Sequence, residues 1–236
     1  MSNPQKPSAE TVQTLFNRIA PVYDQFNDQL SFGLHRIWKR MAVNWSGVQR
    51  GNRALDLCCG SGDLTYLLAQ QVGTTGEAVG VDFSVELLAI AASRKSIAYS
   101  PATTQWVEGD VLNLPFESNS FDGATMGYGL RNVVDVGRSL GEIFRVLKPG
   151  KAVAILDMHR PVQPWMKQFQ NWYLENQVVP AAERCGMIKE YEYIAPSLTR
   201  FPQGQEQEEL AQSVGFQEAI HYPIAGGMMG CLVAKK

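Results

Sequence analysis

The stretch A-L-D-L-C-C-G-S-G-D-L-T-Y-L at residues 54–67 sets the architecture that the rest of the chain follows. Its apolar start, residues 54–58, predicts a buried strand, and leucines at helical spacing come after Gly60 and Gly62. A strand that turns into a helix through glycine lets the backbone approach a ligand closely, because no side chain intervenes. The start of the helix also directs unpaired N–H groups at that ligand. The stretch therefore predicts a cradle of the nucleotide-binding type.

The polar residues of this turn separate two classes of ligand. A dinucleotide fingerprint, G-x-G-x-x-G, is not met, because Cys58 and Thr65 stand where glycines are wanted. Asp63, at the predicted start of the helix, would repel a phosphate but suits a cation or an ammonium group. The pattern D-x-x-x-G-S-G-D resembles the first motif of S-adenosylmethionine (SAM)-dependent methyltransferases, whose cofactor carries an ammonium and a sulfonium. For this motif alone, a plain strand–turn–helix connection is the alternative.

Length, composition and charge exclude several other classes of protein. A chain of 236 residues, 45% hydrophobic and 19% charged, suits one α/β domain with additions or two small domains. A net charge of −2 gives no case for nucleic-acid binding, which needs a basic face. The four cysteines and three histidines show no metal-ligand spacing, so we expect no metal. No apolar run reaches the length of a membrane span, and the N-terminus lacks an apolar core, so we expect a cytoplasmic protein.

Strand and helix patterns alternate from residue 53 onward. The strand patterns cover residues 54–58, 78–82, 105–108, 123–128, 152–158, 216–222 and 230–234. This alternation predicts an α/β fold whose parallel sheet has helices on both faces and ends in a hairpin. Ahead of it, residues 1–50 carry two amphipathic helical patterns, which predict a helical lid over the cradle. Residues 51–236 are predicted to form the main domain, with an insertion at about 161–204.

Polar groups collect where the predicted strands end. Asp56 lies within the first strand, and Asp82 closes the second, where a carboxylate can accept both hydroxyls of a ribose. After the third strand, Asp110 can accept an adenine amino hydrogen, and Val111 can lie against the ring. Taken singly, Asp82 could instead cap the next helix and Asp110 could form a turn. Because parallel strands end at one edge of the sheet, we predict that these residues bind a nucleoside together.

Several motifs now identify a family by resemblance. D-L-C-C-G-S-G-D-L, G-V-D-F-S, E-G-D, L-P-F and L-K-P-G resemble the successive motifs of class I SAM-dependent methyltransferases. Y-D-Q-F-N-D-Q-L-S-F-G-L-H-R-I-W-K at residues 23–39 and G-Y-G-L-R-N-V at residues 127–133 resemble signatures of the ubiquinone/menaquinone C-methyltransferase family. Segments of the tail, such as I-A-P-S-L-T-R-F-P-Q-G, resemble its branch from cyanobacteria and plastids, which methylates 2-phytyl-1,4-naphthoquinone in the last step to phylloquinone.

The resemblance implies a Rossmann-like, seven-stranded class I fold, SAM as cofactor, S-adenosylhomocysteine (SAH) as product, and no metal. It also implies the cofactor-binding residues, which are Tyr23, Asp56, Gly60, Ser61, Gly62, Asp82, Phe83, Asp110, Val111 and Gly127. Three positions depart from the pattern of relatives. Cys58 replaces a glycine, Gly127 replaces a serine that is common in relatives, and Met158 with His159 replaces F-S, which bears on the substrate pocket.

Methylation of a ring carbon needs an electron-rich acceptor, so the substrate is predicted to be a prenylated quinol rather than the quinone. Alignment of donor and acceptor and exclusion of water should supply most of the catalysis. His35, Asp24 and Tyr128 are candidates to assist loss of the phenol proton, and Arg131 is a candidate to stabilise the phenolate. In the simpler alternative, His35 faces solvent and Arg131 only braces its loop.

The predicted insertion is rich in aromatic residues and is divided by Pro180 and Pro196. It is either an extra helical pair at the edge of the domain or an apolar roof over an isoprenoid tail. Because such a tail resides in lipid, we also expect reversible contact with the plasma or thylakoid membrane through the N-terminal helices. Competing functions are a methyltransferase for demethylmenaquinone, a ubiquinone precursor or another quinone, an NAD-dependent oxidoreductase, and a non-catalytic SAM-binding module.

Overall fold

A central seven-stranded sheet organises the protein. The computed structural model describes residues 14, 31, 33–94, 103–184 and 194–236. The strands are β1 (Arg53–Leu57), β2 (Glu77–Asp82), β3 (Thr103–Glu108), β4 (Gly123–Gly127), β5 (Ala152–Met158), β6 (Glu218–Ile224) and β7 (Met229–Lys235). Their order across the sheet is β3-β2-β1-β4-β5-β7-β6.

The topology confirms the predicted sheet. β1 to β5 run parallel, whereas β7 pairs antiparallel with both β5 and β6. The order of the strands reverses at β1, with β2 and β3 on one side and β4 and β5 on the other. Ligands of open α/β sheets bind at such a switch point, outside the carboxyl ends of the strands. The turn after β1, which contains the predicted cradle, lies at this point.

The helices cover both faces of the sheet. They are α1 (His35–Trp45), α2 (Asp63–Val72), α3 (Val85–Ser93), α4 (Val136–Val146), α5 (Pro164–Tyr173), α6 (Val179–Arg184), α7 (Ile194–Arg200) and α8 (Gly204–Ser213). Local capping explains two of the starts. The Ser84 hydroxyl accepts the N–H of Leu87, and the Asp135 carboxylate accepts the N–H of Arg138, so each satisfies a donor that the first turn of its helix leaves unpaired.

The core lies on both sides of the sheet because successive strand residues point to opposite faces. In β1, Ala54 joins the cluster formed with α1 and α2. Its neighbour Leu55 joins the larger cluster formed with α4 and α8. Fully buried side chains of that larger cluster include Phe121, Leu140, Ile143, Ile155 and Leu232. This packing fixes the strand ends that carry the site.

The described part of the N-terminal region packs directly on the sheet. Ala42 of α1 packs with Ala154 and Leu156 of β5, so α1 covers one face of the sheet as a layer helix. Most of residues 1–32 lies outside the described residues, and the lid stays a prediction. In the described residues, no helix combines the length and the apolar character needed to cross a bilayer.

The described part of the insertion is helical, and Pro180 does not divide it as expected. The helical path from α5 to α6 passes directly before Pro180 through a π turn, Leu174–Val178. The wider turn separates the proline ring from the carbonyl that it would meet in a regular α-helix. The prediction that Pro180 divides the segment is therefore wrong. Pro196 lies in α7, and residues 185–193 ahead of that helix are outside the described residues, so the division of the segment at Pro196 stays a prediction.

Candidate functional site

Left-handed backbone shapes the turn after β1. The dihedral φ is 51° at Cys58, 54° at Gly60 and 89° at Gly62. Glycine adopts such values without steric cost, whereas a cysteine is strained there. A β-carbon at Gly62 would lie 2.6 Å from the ring of Trp106, so packing also requires glycine. The turn consequently presents backbone at the carboxyl edge of the sheet.

Asp82, at the end of β2, ties two segments of this edge together. Its Oδ2 accepts the N–H of Gly60 at 2.8 Å, and its Oδ1 accepts the N–H of Ser84 at 2.9 Å. Burial raises the pKa of the Asp82 carboxyl, and the backbone N–H bonds oppose that rise. The next residue, Phe83, is half-buried. Asp82 therefore lies against the glycine turn and also aligns the start of α3.

Asp56 lies beneath the turn in a closed environment. Its side chain is 0% exposed and accepts the hydroxyls of Thr65 at 2.7 Å and Thr125 at 3.1 Å. Thr125 is its register partner on β4, and Thr65 belongs to α2. Burial raises the pKa of Asp56 to about 7, even though both hydrogen bonds favour the charged form. The carboxyl therefore connects β1, β4 and α2 from inside the protein.

Asp63 begins α2 and lies between two cations. Its Oδ2 is 2.7 Å from Nζ of Lys39, and its Oδ1 is 2.6 Å from Nη1 of Arg94. Arg94 also donates to the carbonyl oxygen of Ser61 at 2.8 Å. Although burial disfavours the charged form, Lys39 and Arg94 outweigh it and lower the pKa of Asp63 to about 2. The positive charge that Asp63 was expected to attract is thus supplied by the protein itself, through Lys39 of α1 and Arg94 after α3.

Three further residues that were predicted to bind the cofactor lie after β3 and at the end of β4. Asp110 is exposed, and its Oδ1 accepts the N–H of Leu112 at 2.9 Å, while the adjacent Val111 is buried. At Gly127, a β-carbon would lie 2.7 Å from Cδ1 of Leu64 on α2. A larger residue at that position would therefore require the Leu64 side chain to shift.

The loop after β4 holds Tyr128 and Arg131. Tyr128 has a left-handed φ of 61°, and its ring centroid lies 5.8 Å from Nζ of Lys39. Nη1 of Arg131 donates to Oδ1 of Asp157 on β5 at 2.8 Å, and its Nε donates to Oγ of Ser197 on α7 at 3.3 Å. A residue of the insertion and a residue of the sheet thus engage the same guanidinium.

Asn132 and His35 are buried near this edge of the sheet. The Nδ2 of Asn132 donates to the carbonyl of Tyr128 at 2.9 Å, whereas its Oδ1 has no hydrogen-bond partner among the described residues. His35 is 4% exposed, and its Nδ1 lies 2.7 Å from the hydroxyl of Ser31. The alternative in which the His35 imidazole faces solvent is therefore wrong.

Comparison with known proteins relates this arrangement to a family. Residues 4–236 match the ubiE/COQ5 methyltransferase family. The chain belongs to that family.

Relatives and solved structures agree with the assignment. A relative from Nostoc punctiforme, named a 2-phytyl-1,4-naphthoquinone methyltransferase, is 62% identical and covers 95% of this chain and 98% of its own. One from Arabidopsis thaliana, named a chloroplastic 2-phytyl-1,4-beta-naphthoquinone methyltransferase, is 53% identical and covers 94% of this chain and 86% of its own. The fold resembles a SAM-dependent methyltransferase from Thermotoga maritima with a TM-score of 0.67 at 19% identity, over 95% of this chain and 99% of that one.

This member of the ubiE/COQ5 methyltransferase family is a SAM-dependent methyltransferase with the Rossmann-like fold of class I enzymes. The site geometry suits that cofactor, because an open glycine turn, a carboxylate at the end of β2 and an exposed carboxylate after β3 lie along one edge of the sheet. The two carboxylates match the hydroxyl and amino donors that a sulfonium nucleoside presents.

Sequence reasoning placed some site residues and missed others. The roles of all the predicted site residues stay predictions, and Tyr23 and Asp24 also lie outside the described residues. Lys39, Asp157 and Ser197 were missed, because each meets its partner only through long-range packing. Lys39 is buried, although a charged residue of an amphipathic helix is usually exposed. A charged residue in an otherwise apolar strand was the one available signal for Asp157.

Proposed function

We propose that the protein transfers the methyl group of SAM to a ring carbon of 2-phytyl-1,4-naphthoquinol, forming phylloquinol in the last step of phylloquinone synthesis. The observation that carries this proposal is the 62% identity, over 95% of the chain, to the Nostoc punctiforme enzyme of that name. The Arabidopsis thaliana relative supports it at 53% identity. A substrate name shared by relatives from two such organisms favours the phytylated naphthalene ring over demethylmenaquinone and over a ubiquinone precursor.

The proposed SAM site follows the carboxyl edge from β1 to β4. When bound, SAM supplies an electrophilic methyl group on a sulfonium. The oxygens of Asp82 accept the backbone N–H groups of Gly60 and Ser84, and a carboxylate has further lone pairs for the ribose hydroxyls. Asp110 and Val111 would take the adenine, and Asp56 would act through Thr65 because its carboxyl is enclosed. The remaining proposed contacts are Tyr23, Gly60, Ser61, Gly62, Phe83 and Gly127.

The acceptor must be the reduced ring. A quinone ring is electron-poor, whereas a quinol that has lost a phenol proton carries electron density at the ring carbon that attacks the methyl group. A carbon–carbon bond forms, the carbon–sulfur bond breaks, and the ring hydrogen leaves as a proton, so that the products are the methylated quinol and SAH. The protein therefore has to orient the ring, exclude water and stabilise an oxyanion.

The loop after β4 suits that task. Arg131 is permanently charged and would stabilise the phenolate oxygen electrostatically. The buried Oδ1 of Asn132, which lacks a partner among the described residues, would accept a hydroxyl of the substrate. Tyr128, His35 and Asp24 are the proposed groups for assisting loss of the phenol proton.

A methyl-transfer assay tests the function. The full chain is incubated with methyl-tritiated SAM and 2-phytyl-1,4-naphthoquinone, with and without dithionite, and label is counted in the organic phase. We expect label only in the reduced sample, and kcat/KM at least about tenfold lower for a reduced ubiquinone-type ring, because a pocket built for one ring loses contacts to another. Equal use of both rings would contradict the assigned substrate, and label in no quinol would contradict the activity.

The insertion supports a further part of the proposal, which is reversible contact with a lipid surface that supplies the phytyl-bearing substrate. Trp165, Phe169 and Trp172 lie on one face of α5 and are 67%, 44% and 51% exposed. Such aromatic side chains favour the interface of a bilayer. Leu34 and Ile37, at the start of α1, add exposed apolar surface near the N-terminal helices. The same aromatic segment would serve as the roof over the tail.

Sedimentation with liposomes that contain 2-phytyl-1,4-naphthoquinone tests this contact. Trp165→Ala combined with Trp172→Ala should lower the bound fraction, while methylation of a tail-free naphthoquinol stays unchanged. Ile220→Ala removes an equally exposed apolar side chain from β6 and is the matched control. Equal sedimentation of the wild type, the double variant and the control would exclude α5 as the contact.

A further inference from the structure

A buried carboxylate lies behind Arg131. Asp157 is the sixth residue of β5, and its side chain is 1% exposed. Its Oδ1 accepts Nη1 of Arg131 at 2.8 Å, and its Oδ2 accepts the backbone N–H of the same residue at 3.0 Å. One carboxylate therefore binds both the main chain and the side chain of Arg131. This arrangement fixes the loop after β4 to the neighbouring strand.

Ser197 binds the guanidinium from the insertion. Its hydroxyl donates to the carbonyl of Ile194 at 2.7 Å, which leaves an oxygen lone pair for Nε of Arg131 at 3.3 Å. Ser197 is fully buried on α7. Two anchors on different elements therefore hold one side chain, and the orientation of the guanidinium depends on how α7 lies against the sheet.

The two anchors leave a definite part of the guanidinium available. An arginine side chain has five N–H donors in a rigid plane. Asp157 and Ser197 engage Nη1 and Nε, and the carbonyl of Tyr128 lies 3.4 Å from Nη1. Among the described residues, no hydrogen bond engages Nη2. A planar group held on two of its nitrogens therefore presents the third in a fixed direction.

We propose that Asp157 is a positioning residue for Arg131, with Ser197 as its second anchor, and that the two together direct Nη2 toward an oxygen of the quinol ring. The inference rests on the proposed function, since it assigns these residues to the same acceptor. Charge and orientation make opposite predictions for Asp157. Its carboxylate offsets the charge of the guanidinium, so charge alone predicts that removing it strengthens the stabilisation of a phenolate. Orientation predicts that removing it weakens catalysis.

Steady-state kinetics with reduced 2-phytyl-1,4-naphthoquinone distinguish the two. Asp157→Asn should lower kcat on the order of 100-fold, the effect of a displacement of about 1 Å in a positioned group, while the Kd for SAH measured by calorimetry stays within about twofold. Asp157→Glu keeps the charge and should recover part of the loss. Ser197→Ala should lower kcat by up to about tenfold. Asp122→Asn, which breaks the ion pair with Lys148 at the amino edge of the sheet, is the matched control and should leave kcat unchanged.

A double-variant cycle ties the effect to Arg131. Because Asp157 acts through the guanidinium, Arg131→Lys combined with Asp157→Asn should be no slower than Arg131→Lys alone. Additive losses, or an unchanged or higher kcat in Asp157→Asn, would overturn the inference while the wild type remained active. If Asp157→Asn fails to fold, the Ser197→Ala and Asp157→Glu comparison decides. A wild type that methylates no quinol would instead remove the proposed function, and the inference with it.

Discussion

Left-handed backbone at Cys58 and Tyr128 brings strain to the carboxyl edge of the sheet. The two residues directly follow β1 and β4, and a β-carbon at Gly129 would lie 2.7 Å from Cβ of Cys58, so the two turns pack closely. Strained non-glycine residues concentrate at functional sites, where the surrounding structure imposes the conformation.

A pair of substitutions at Cys58 tests this strain. Cys58→Val places a β-branched residue at positive φ and should lower the free energy of unfolding by about 1–3 kcal/mol. Cys58→Gly should change it by less than about 1 kcal/mol, because relief of strain offsets the entropy of glycine. Urea unfolding at pH 7.5 measures both. Cys59→Val, on a residue with ordinary backbone, is the control, and an equal loss in Cys58→Val and Cys59→Val would exclude backbone strain as the cause.

Lys39 contributes through a contact that spans 24 residues of sequence. Lys39→Met leaves Asp63 with Arg94 alone and should lower the free energy of unfolding by about 1–3 kcal/mol, because a desolvated carboxylate loses one of two partners. The pKa of Asp63 is lowered to about 2, so its contribution is present above about pH 4 and is lost only as the pH falls toward 2. The loss should therefore be equal at pH 7.5 and pH 5.5.

The matched control for Lys39 is Arg53→Met, which breaks a half-exposed ion pair with Glu77 and should cost less than about 1 kcal/mol, because the Arg53 side chain is 38% exposed whereas that of Lys39 is 7% exposed. Equal losses in the two variants would show that burial of the Lys39–Asp63 pair adds nothing to stability.

The sequence predicted that Asp82 ends the second strand, because strand ends and register follow from local patterns. It did not predict Lys39, because the burial of one lysine depends on how α1 settles on α2.

Three elements meet in a buried cluster of imidazole and amide groups. Nδ1 of His159, after β5, lies 3.1 Å from the carbonyl of Asp157, which requires a proton on Nδ1. Its Nε2 is then an acceptor, 2.7 Å from Nε2 of Gln207 on α8 and 3.0 Å from Nε2 of His221 on β6. Burial and the neighbouring His159 lower the pKa of His221 to about 4, and burial lowers that of His159. The cluster is therefore stable only while both rings are neutral.

This cluster makes stability depend on pH. Because the folded pKa of His221 lies below the unfolded value of about 6.5, the unfolded chain binds the proton first as the pH falls. The free energy of unfolding should therefore decrease between about pH 6.5 and pH 4 and stay constant in this respect above pH 7. His221→Asn should remove about 1–2 kcal/mol of that decrease, after allowance for partial exposure. Parallel stability–pH curves for wild type and variant, from urea unfolding, would contradict this account.

The boundaries of helices and strands were predictable where a cap or a register fixes them. Ser84 caps α3, and β5 runs from Ala152 to Met158 as its apolar pattern indicates. The continuation of the helix through Pro180 was not predictable. Sequence rules treat an interior proline as the end of a helix, and a π turn depends on the packing of both flanking helices. Patterns thus predicted the elements, while tertiary packing determined how the insertion continues.

At the scale of the whole molecule, polar residues that follow successive strands lie along one edge of the sheet because β1 to β5 are parallel. Alternating patterns therefore sufficed to predict the sheet and the edge along which the proposed cofactor residues lie. The proposed acceptor side was less predictable, since Arg131 meets Asp157 of β5 and Ser197 of α7, which lie 26 and 66 residues from it along the chain. No local sequence pattern predicts contacts between residues so far apart in the chain.

Binding at this edge should stabilise the whole fold, since β1, β2 and α2 meet there. At a concentration 100 times its Kd, SAH should add about 2.7 kcal/mol and raise Tm by roughly 5–10 °C for a chain of this length, whereas NADH should leave Tm unchanged. Asp82→Asn keeps one acceptor oxygen but removes the charge, and should reduce the shift more than Asp122→Asn, whose carboxylate lies at the opposite edge. Differential scanning calorimetry measures each shift. A shift with NADH as large as that with SAH, or an undiminished shift in Asp82→Asn, would contradict the assignment of this edge to SAM, because a carboxylate that grips a ribose must lose affinity when its charge is removed.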